Sequence, residues 1–158
     1  MAAIPTADLV KNTQLARARF LYGLDKVPDE RLSWSPGGSA GTALQLADKL
    51  SGFLFFLSHL VAHGSVPEGE RPKPEPSKSR DEAKGRVDAG FTQIIAAFES
   101  LTPELIEKQV MMPWQKEWSM GQLAVGSGGV LGYFQGQLNF LQLCYGDEDP
   151  NIPPEWQH

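Results

Sequence analysis

Apolar residues recur at spacings of three and four positions in four long segments of this chain. This spacing places them on one face of an α-helix. The predicted helices run over residues 6–24, 79–101 and 119–146, and a further helix starts within residues 39–42 and ends near 64. Thr6 is positioned to cap the first of them. The pattern of apolar positions therefore predicts four amphipathic helices.

Three of the predicted helix ends carry further capping signals. Ser79 with Glu82, and Ser119 with Gln122, match the capping box, in which a hydroxyl and a side chain three residues later bond reciprocally at the helix start. Gly146 suits the left-handed residue that closes many helices. These signals define the start of the third helix and both ends of the fourth.

The stretch from Gly64 to Ser79, GSVPEGERPKPEPSKS, is rich in proline, which excludes helix and interior strand. A connection of this length allows two consecutive helices to run parallel, whereas a short loop forces them to be antiparallel. We therefore expect a long crossover between parallel second and third helices. The P-x-x-P-like pattern within it is interpreted as a spacer.

Shorter segments complete the predicted organisation. Residues 102–104, Thr-Pro-Glu, suggest a short helical turn, and residues 109–118, QVMMPWQKEW, predict a small hairpin or an extended lid. The tail, residues 147–158, is acidic and proline-rich. We expect it to pack on the body of the protein through Ile152 and Trp156.

Length and composition indicate one domain over residues 1–158, with an all-α, four-helix-bundle fold. The formal net charge of -5 argues against a nucleic-acid partner, which would need a basic face. The longest apolar run, within Leu50–Val61, is too short to cross a bilayer, so we expect no membrane partner. Cys144 is the single cysteine and can form no internal disulfide, which indicates a cytoplasmic protein.

Four motifs in order resemble those of a known family. The chain has P-D-E-x-L-x-W-x-P at residues 28–36, S-x-x-T-A-L at 39–44, G-Q-L-N-F-L at 136–141 and Y-G-D at 145–147. Together with the long crossover, this order resembles the DinB/YfiT-like superfamily over nearly the whole chain. The resemblance implies a four-helix bundle with its helices in an up, up, down, down order.

The resemblance also implies a divalent metal held by three histidines, two of them in an H-x-x-x-H-x-G-Q arrangement in the last helix. Matching Gly136 and Gln137 to the G-Q places those two positions at Val130 and Phe134, and the second-helix position falls on Lys49. None of these three side chains is a metal ligand in its ordinary state. We therefore expect no metal and no other cofactor.

The first functional hypothesis is metal-independent binding of a small molecule in the residual cavity between the second and fourth predicted helices. The predicted ligand-binding residues are Lys49, Phe53, Val130, Phe134 and Gln137. Lys49 would anchor an anionic group there. In the simpler alternative, the Lys49 stem lies along the core edge with its ammonium in water, and Val130 and Phe134 only fill the former metal cavity.

The second hypothesis is an enzyme. Members of the family that carry the histidine triad include thiol-dependent S-transferases and a maleylpyruvate isomerase, so one version is an enzyme of that kind with non-metal activation. The other version is a lysine-dependent catalyst, in which a desolvated Lys49 serves as a base or a Schiff-base amine. The sequence itself specifies no substrate.

Two other candidate groups have simpler interpretations. His59 and His63 are four residues apart and share a helix face, which is the spacing of two metal ligands. No third histidine lies close in the sequence, so we interpret the pair as binding no metal or binding one only adventitiously. Cys144 is expected to be a half-buried residue without special reactivity.

Glycine is unusually frequent in the last predicted helix. Gly128, Gly132 and Gly136 recur every four residues, and each glycine in a helix interior costs about 1 kcal/mol relative to alanine. A flat row of glycines allows another backbone to approach closely. We therefore predict a homodimer that covers these glycines or, failing that, cover from the tryptophans of the hairpin or the tail.

Overall fold

The computed structural model describes residues 5–66 and 75–157, which form a bundle of long helices with one small hairpin. The helices are α1 (Thr6–Lys26), α2 (Ala43–His63), α3 (Arg80–Glu99), α4 (Pro103–Glu107) and α5 (Met120–Cys144). The hairpin consists of β1 (Gln109–Met111) and β2 (Glu117–Ser119). The predicted all-α fold class is confirmed. Residues 67–74, which include most of the predicted crossover and its P-x-x-P-like pattern, lie outside the described residues.

The helix ends follow the capping signals with two exceptions. Ser119 and Gln122 form the predicted capping box, and Gly64 closes α2 with a φ of 65°. Ser79 accepts from the backbone N–H of Glu82, but the Glu82 carboxylate accepts from Lys78 instead of completing the box. The predicted cap at Thr6 is wrong, because the preceding proline occupies the cap position and Thr6 is the first helical residue.

The helices α2 and α3 run parallel, as the long crossover predicts. Ser51 donates to the backbone carbonyl of Arg86, and Leu54, one turn further along α2, lies against Gly90, one turn further along α3. Contacts that advance together along both helices define a parallel pair. This pair has the most extensive helix–helix contact in the described chain.

The order of the helix directions differs from the up, up, down, down order implied by the family resemblance. Arg17 pairs with Asp88 at 2.7 Å, and Asp25 pairs with Lys84 at 2.6 Å, so α1 and α3 are antiparallel. At Gly23, α1 contacts Leu138 of α5. The α1–α5 contacts advance together along both helices, so these two helices are parallel and the four long helices run up, down, down, up. Relative to α1, the implied order is therefore wrong for α2 and α5.

The connector between α1 and α2 explains this order. Arg80, at the start of α3, donates to the Val27 carbonyl and pairs with Asp29 at 2.9 Å. The Leu32 carbonyl accepts from Leu44 in the first turn of α2. The connector therefore stays at one end of the bundle, and α2 has to run back from the end where α1 stops.

The closest approach in the core is between α2 and α3. A Cβ atom added at Gly90 would lie 2.9 Å from Leu54 Cβ, a distance that folded proteins do not tolerate without movement. The surrounding core contains side chains with almost no exposure to solvent, among them Phe20, Leu54, Leu60, Phe91 and Phe98. Glycine at position 90 is therefore required by packing.

The hairpin and the tail both pack on the bundle. Trp114 and Trp118 form an edge-to-face pair with ring centroids 5.4 Å apart, and Trp118 lies beside Gly126 of α5. The tail packs through Asn151, which is buried, whereas Ile152 is exposed, contrary to the prediction. The other predicted tail residue, Trp156, lies under the Arg19 guanidinium at 5.3 Å and remains partly exposed.

An aromatic contact joins two of the four family-like motifs. The Trp34 and Tyr145 rings meet edge to face at 6.0 Å, and the Arg31 guanidinium lies over both rings. The Tyr145 hydroxyl is buried without a hydrogen-bond partner among the described residues. Burial raises the pKa of Tyr145, the Asp147 charge raises it further, and Arg31 opposes the shift.

None of the helices in the described part of the chain is long and apolar enough to span a bilayer.

The first prediction compares two glycines of α3. Gly90→Ala should lower the free energy of unfolding by about 1–3 kcal/mol, because the added methyl group overpacks the contact with Leu54. Gly85→Ala is the matched control. Nothing lies within 4 Å of its Cβ position, so this change should raise stability by up to about 1 kcal/mol through helix propensity. Urea denaturation measures both; equal effects of the two substitutions would contradict the close α2–α3 approach.

The second prediction concerns alkaline pH. Because folding raises the pKa of Tyr145, the unfolded state ionises first, and stability should fall as pH rises from about 10 towards the folded pKa. Tyr145→Phe should reduce that loss, and at neutral pH it should cost less than about 1 kcal/mol, since the lost hydroxyl is unpaired. Thermal unfolding between pH 8 and pH 11 measures the effect.

The matched control for this pH experiment is Tyr133→Phe, which removes a hydroxyl from an exposed ring. It should retain the alkaline loss of the wild-type protein. An alkaline loss of the same size in the Tyr145→Phe variant would show that another group causes it.

Candidate functional site

A pocket lies where the second half of α5 passes the first half of α2. Its volume is about 320 Å³. Lys49 of α2 and Gln137 of α5 line it from opposite sides, and Tyr133 and Phe140 of α5 contribute aromatic rings. Residues 39–41, just before α2, form the remaining rim.

Local structure at the start of α2 positions this rim. The Thr42 hydroxyl accepts from the Gln45 N–H, and the Gln45 side chain accepts from the Thr42 N–H, which fixes the first turn of α2. Ser35 donates to the Ala40 carbonyl at 2.6 Å and ties the preceding loop. Lys49 then follows two turns into the helix, where its ammonium lies 3.8 Å from the Cβ position of Gly41.

The Lys49 ammonium and the Gln137 amide have no protein partners among the described residues. No described carboxylate lies within the 4.0 Å ion-pairing distance of Lys49 Nζ, and no described group hydrogen-bonds the Gln137 amide. Lys49 is exposed, and Gln137 is half-buried. The pocket therefore combines a solvated cation, an unpaired amide and two aromatic rings.

Of the five residues predicted to bind a ligand, only Lys49 and Gln137 line this pocket. Phe53 and Phe134 pack against each other with ring centroids 6.2 Å apart, and both rest half-buried on the core. Val130 is also half-buried and lies outside the pocket lining. The Phe53–Phe134 pair therefore fills space between α2 and α5 adjacent to the pocket.

Sequence reasoning missed two parts of the pocket wall. Phe140 lies seven residues after Tyr133 and therefore on nearly the same helix face, a spacing that could have linked the two. Residues 39–41 were treated only as a helix start. Their place in the pocket depends on how the loop folds over α5, for which the sequence carries no local signal.

The two neighbouring histidines do not form a metal site with other residues. Their rings lie 4.3 Å apart, beside a shallow groove between α2 and α3. Within residues 5–66 and 75–157, no three side chains of His, Cys, Asp or Glu converge closely enough to hold a metal ion. Cys144 is exposed instead of half-buried as predicted.

A second, larger groove of about 520 Å³ lies between α1 and α5. Its wall is mostly apolar, and its hydroxyls already bond to their own helices: Thr13 to the Leu9 carbonyl and Ser127 to the Ala124 carbonyl. Arg19 donates to the Pro150 carbonyl at the groove edge. Arg19 Nε and Gln135 Oε1 are buried without a hydrogen-bond partner among the described residues, so the groove differs from the α2–α5 pocket mainly in its more apolar wall.

The glycines of α5 remain uncovered by the described residues. No described atom lies within 4 Å of the Cβ positions of Gly128, Gly132 or Gly136. The hairpin tryptophan Trp118 contacts Gly126 instead, and Trp156 lines the far wall of the α1–α5 groove. The predicted cover from the hairpin or the tail is therefore wrong for these three glycines.

Comparison with known proteins gives a structural match. No protein-family model matches the chain, and no curated protein matches it. Among solved structures, the fold is similar to that of YjoA, a DinB-like protein from Bacillus subtilis, with a TM-score of 0.70. That match covers 88% of this chain and 92% of the other, at 12% sequence identity. The chain therefore has a DinB-like fold.

Proposed function

We propose that this protein binds a small anionic aromatic molecule in the α2–α5 pocket without the help of a metal ion. The observation that carries the proposal is the unpaired Lys49 ammonium at the edge of a cavity lined by Tyr133 and Phe140. Ligand sites typically combine an apolar wall with a few placed polar groups. This pocket has both.

The polar side of the pocket suits a carboxylate. Lys49 supplies a positive charge and three N–H donors, and Gln137 supplies an amide that can donate a further hydrogen bond. A charge-assisted hydrogen bond is about twice as strong as a neutral one. Because the Lys49 side chain is exposed, we expect solvent to reduce this contribution.

The apolar side of the pocket suits a flat ring. Tyr133 and Phe140 lie about two turns apart on nearly the same face of α5, and both are more than half exposed. A ligand ring would therefore replace water on their faces. Aromatic pairs contribute about 0.5–1.5 kcal/mol beyond the burial of area. A volume of about 320 Å³ accommodates a molecule with a single ring and a short substituent.

We propose no metal because of the side chains at the three positions where the family resemblance would place its ligands. Val130 and Phe134 carry only carbon and hydrogen beyond the backbone, and Lys49 offers no lone pair while protonated. Zinc in proteins takes three or four N, O or S ligands. The residues at these positions do not fit such a metal, and the Phe53–Phe134 contact packs apolar groups at that level of the bundle.

An enzymatic function ranks second. A lysine-dependent catalyst needs a desolvated amine, whereas Lys49 is exposed. An S-transferase or isomerase with non-metal activation would need a further acid or base at the ligand, and the described pocket wall contains no histidine or carboxylate. Binding is therefore the function that the geometry supports best.

The third prediction tests the pocket by titration calorimetry with benzoate and phenylacetate. We expect saturable binding to the wild-type protein that is unchanged by EDTA. Lys49→Met should weaken it about tenfold, because the substitution keeps the apolar stem but removes the charge. Lys11→Met, which changes an exposed lysine on α1 outside the pocket, is the matched control and should bind like the wild type.

Three outcomes would contradict the proposal. In the first, neither compound binds saturably. In the second, the Lys49→Met variant binds as tightly as the Lys11→Met variant and the wild type. In the third, EDTA abolishes binding. To separate the two cavities, Arg19→Met should leave binding unchanged, since Arg19 lines only the α1–α5 groove.

A further inference from the structure

The outward face of α5 is apolar and uncovered by the described residues. Four large side chains on it are more than half exposed: Val125 at 51%, Tyr133 at 63%, Phe140 at 56% and Leu143 at 59%. Their spacing places them on the side of the helix opposite its buried stripe. Single exposed apolar residues are ordinary, but a continuous face along one helix marks an interaction surface.

The charge distribution points to a second copy of this chain as the partner. None of the 25 residues of α5 is charged, although the chain has 14 Lys and Arg and 19 Asp and Glu residues. Two copies that each carry a net charge of -5 repel each other, and they can approach most easily through a face without charge. A basic partner would instead be expected to meet an acidic face, which α5 lacks.

The available area is of the size that a dimer needs. The four exposed side chains of α5 present about 400 Å², because a large aromatic side chain has about 150–250 Å² of surface. Trp118, beside Gly126, extends the face into the hairpin, where Trp114 and Met111 are also about half exposed. With these residues the patch reaches about 700 Å², close to the roughly 800 Å² per partner of a stable interface.

We propose that the protein forms a homodimer in which α5 packs antiparallel against α5 of a second copy. A two-fold axis at the level of Phe134 would set Gly132 against the partner's Gly136, and Val125 near the partner's Leu143. Both pairs are symmetric about residue 134, so the glycines meet near the axis, with Tyr133 beside them, and Val125 meets Leu143 towards the ends. The face is therefore self-complementary, as a two-fold interface must be.

The same geometry explains why α5 keeps glycines that lower its helical stability. Side chains at positions 132 and 136 would hold the two α5 backbones apart, although no described residue of the same chain obstructs their Cβ positions. The dimer also covers part of Tyr133 and Phe140, which line the α2–α5 pocket, and so narrows the pocket mouth. The dimer does not depend on the identity of a ligand.

The fourth prediction uses sedimentation equilibrium of the full chain without ligand. We expect the wild type to have twice the mass of one chain at micromolar concentrations. Gly136→Leu should weaken the dimer at least tenfold by blocking the close approach, and Leu143→Glu should do so by placing a charge in the interface. Gly85→Leu, at an equally open position on α3, is the matched control and should remain dimeric.

Circular dichroism distinguishes lost association from lost folding, because all three substitutions fall at exposed helix positions and should keep the helical content. A monomeric wild type at 100 µM, or dimers of wild-type affinity in both interface variants, would overturn the proposal. Both outcomes are measured without ligand, so they do not decide whether the α2–α5 pocket binds one.

A nitroxide on Cys144, the single and exposed cysteine, tests the direction of packing. Cys144 lies ten residues from the proposed axis, so the antiparallel dimer places the two labels about 30 Å apart. Pulsed electron paramagnetic resonance measures this separation. A distance below about 20 Å would indicate parallel helices and contradict the antiparallel arrangement.

Discussion

The contact between Leu54 and Gly90 is the constraint on which the rest of this bundle depends. Only glycine at position 90 lets α3 approach α2 so closely, and the close approach of two parallel helices gives the core its centre. Ion pairs such as Arg17 with Asp88 then hold α1 antiparallel to α3 on one side. The fourth long helix, α5, occupies the remaining place between α1 and α2, so one of its faces is left without a partner in the described chain.

The position of α5 determines the candidate chemistry. Because α5 runs antiparallel to α2, Gln137 in its second half meets Lys49 in the first half of α2, while Phe134 meets Phe53 one turn away. Phe134, at one of the ligand positions that the family resemblance assigns, packs against Phe53, whereas Lys49, at another of these positions, lines the neighbouring pocket with Gln137. The packed aromatic side chains and the unpaired polar side chains therefore lie at adjacent levels of the same helix pair.

The sequence predicted what depends on local signals. Helix periodicity, the capping box at Ser119 and the length of the crossover gave the helices and the parallel α2–α3 pair, which the structure confirms. The direction of α2 relative to α1 was not predictable from periodicity, because it depends on Arg80 holding the connector at one end of the bundle. The shift of α2 along α5 also depends on tertiary contacts. Helical spacing therefore placed Phe53 and Phe134 on the correct helices but could not specify which residues of the two helices lie at the same level.

The central claim is that this DinB-like fold carries a binding pocket that needs no metal. Elemental analysis of the protein, purified without an affinity tag and without chelator, tests that claim most directly. The account predicts zinc and nickel far below one ion per chain, because Lys49, Val130 and Phe134 provide no ligand set. One tightly held zinc or nickel ion per chain would contradict it.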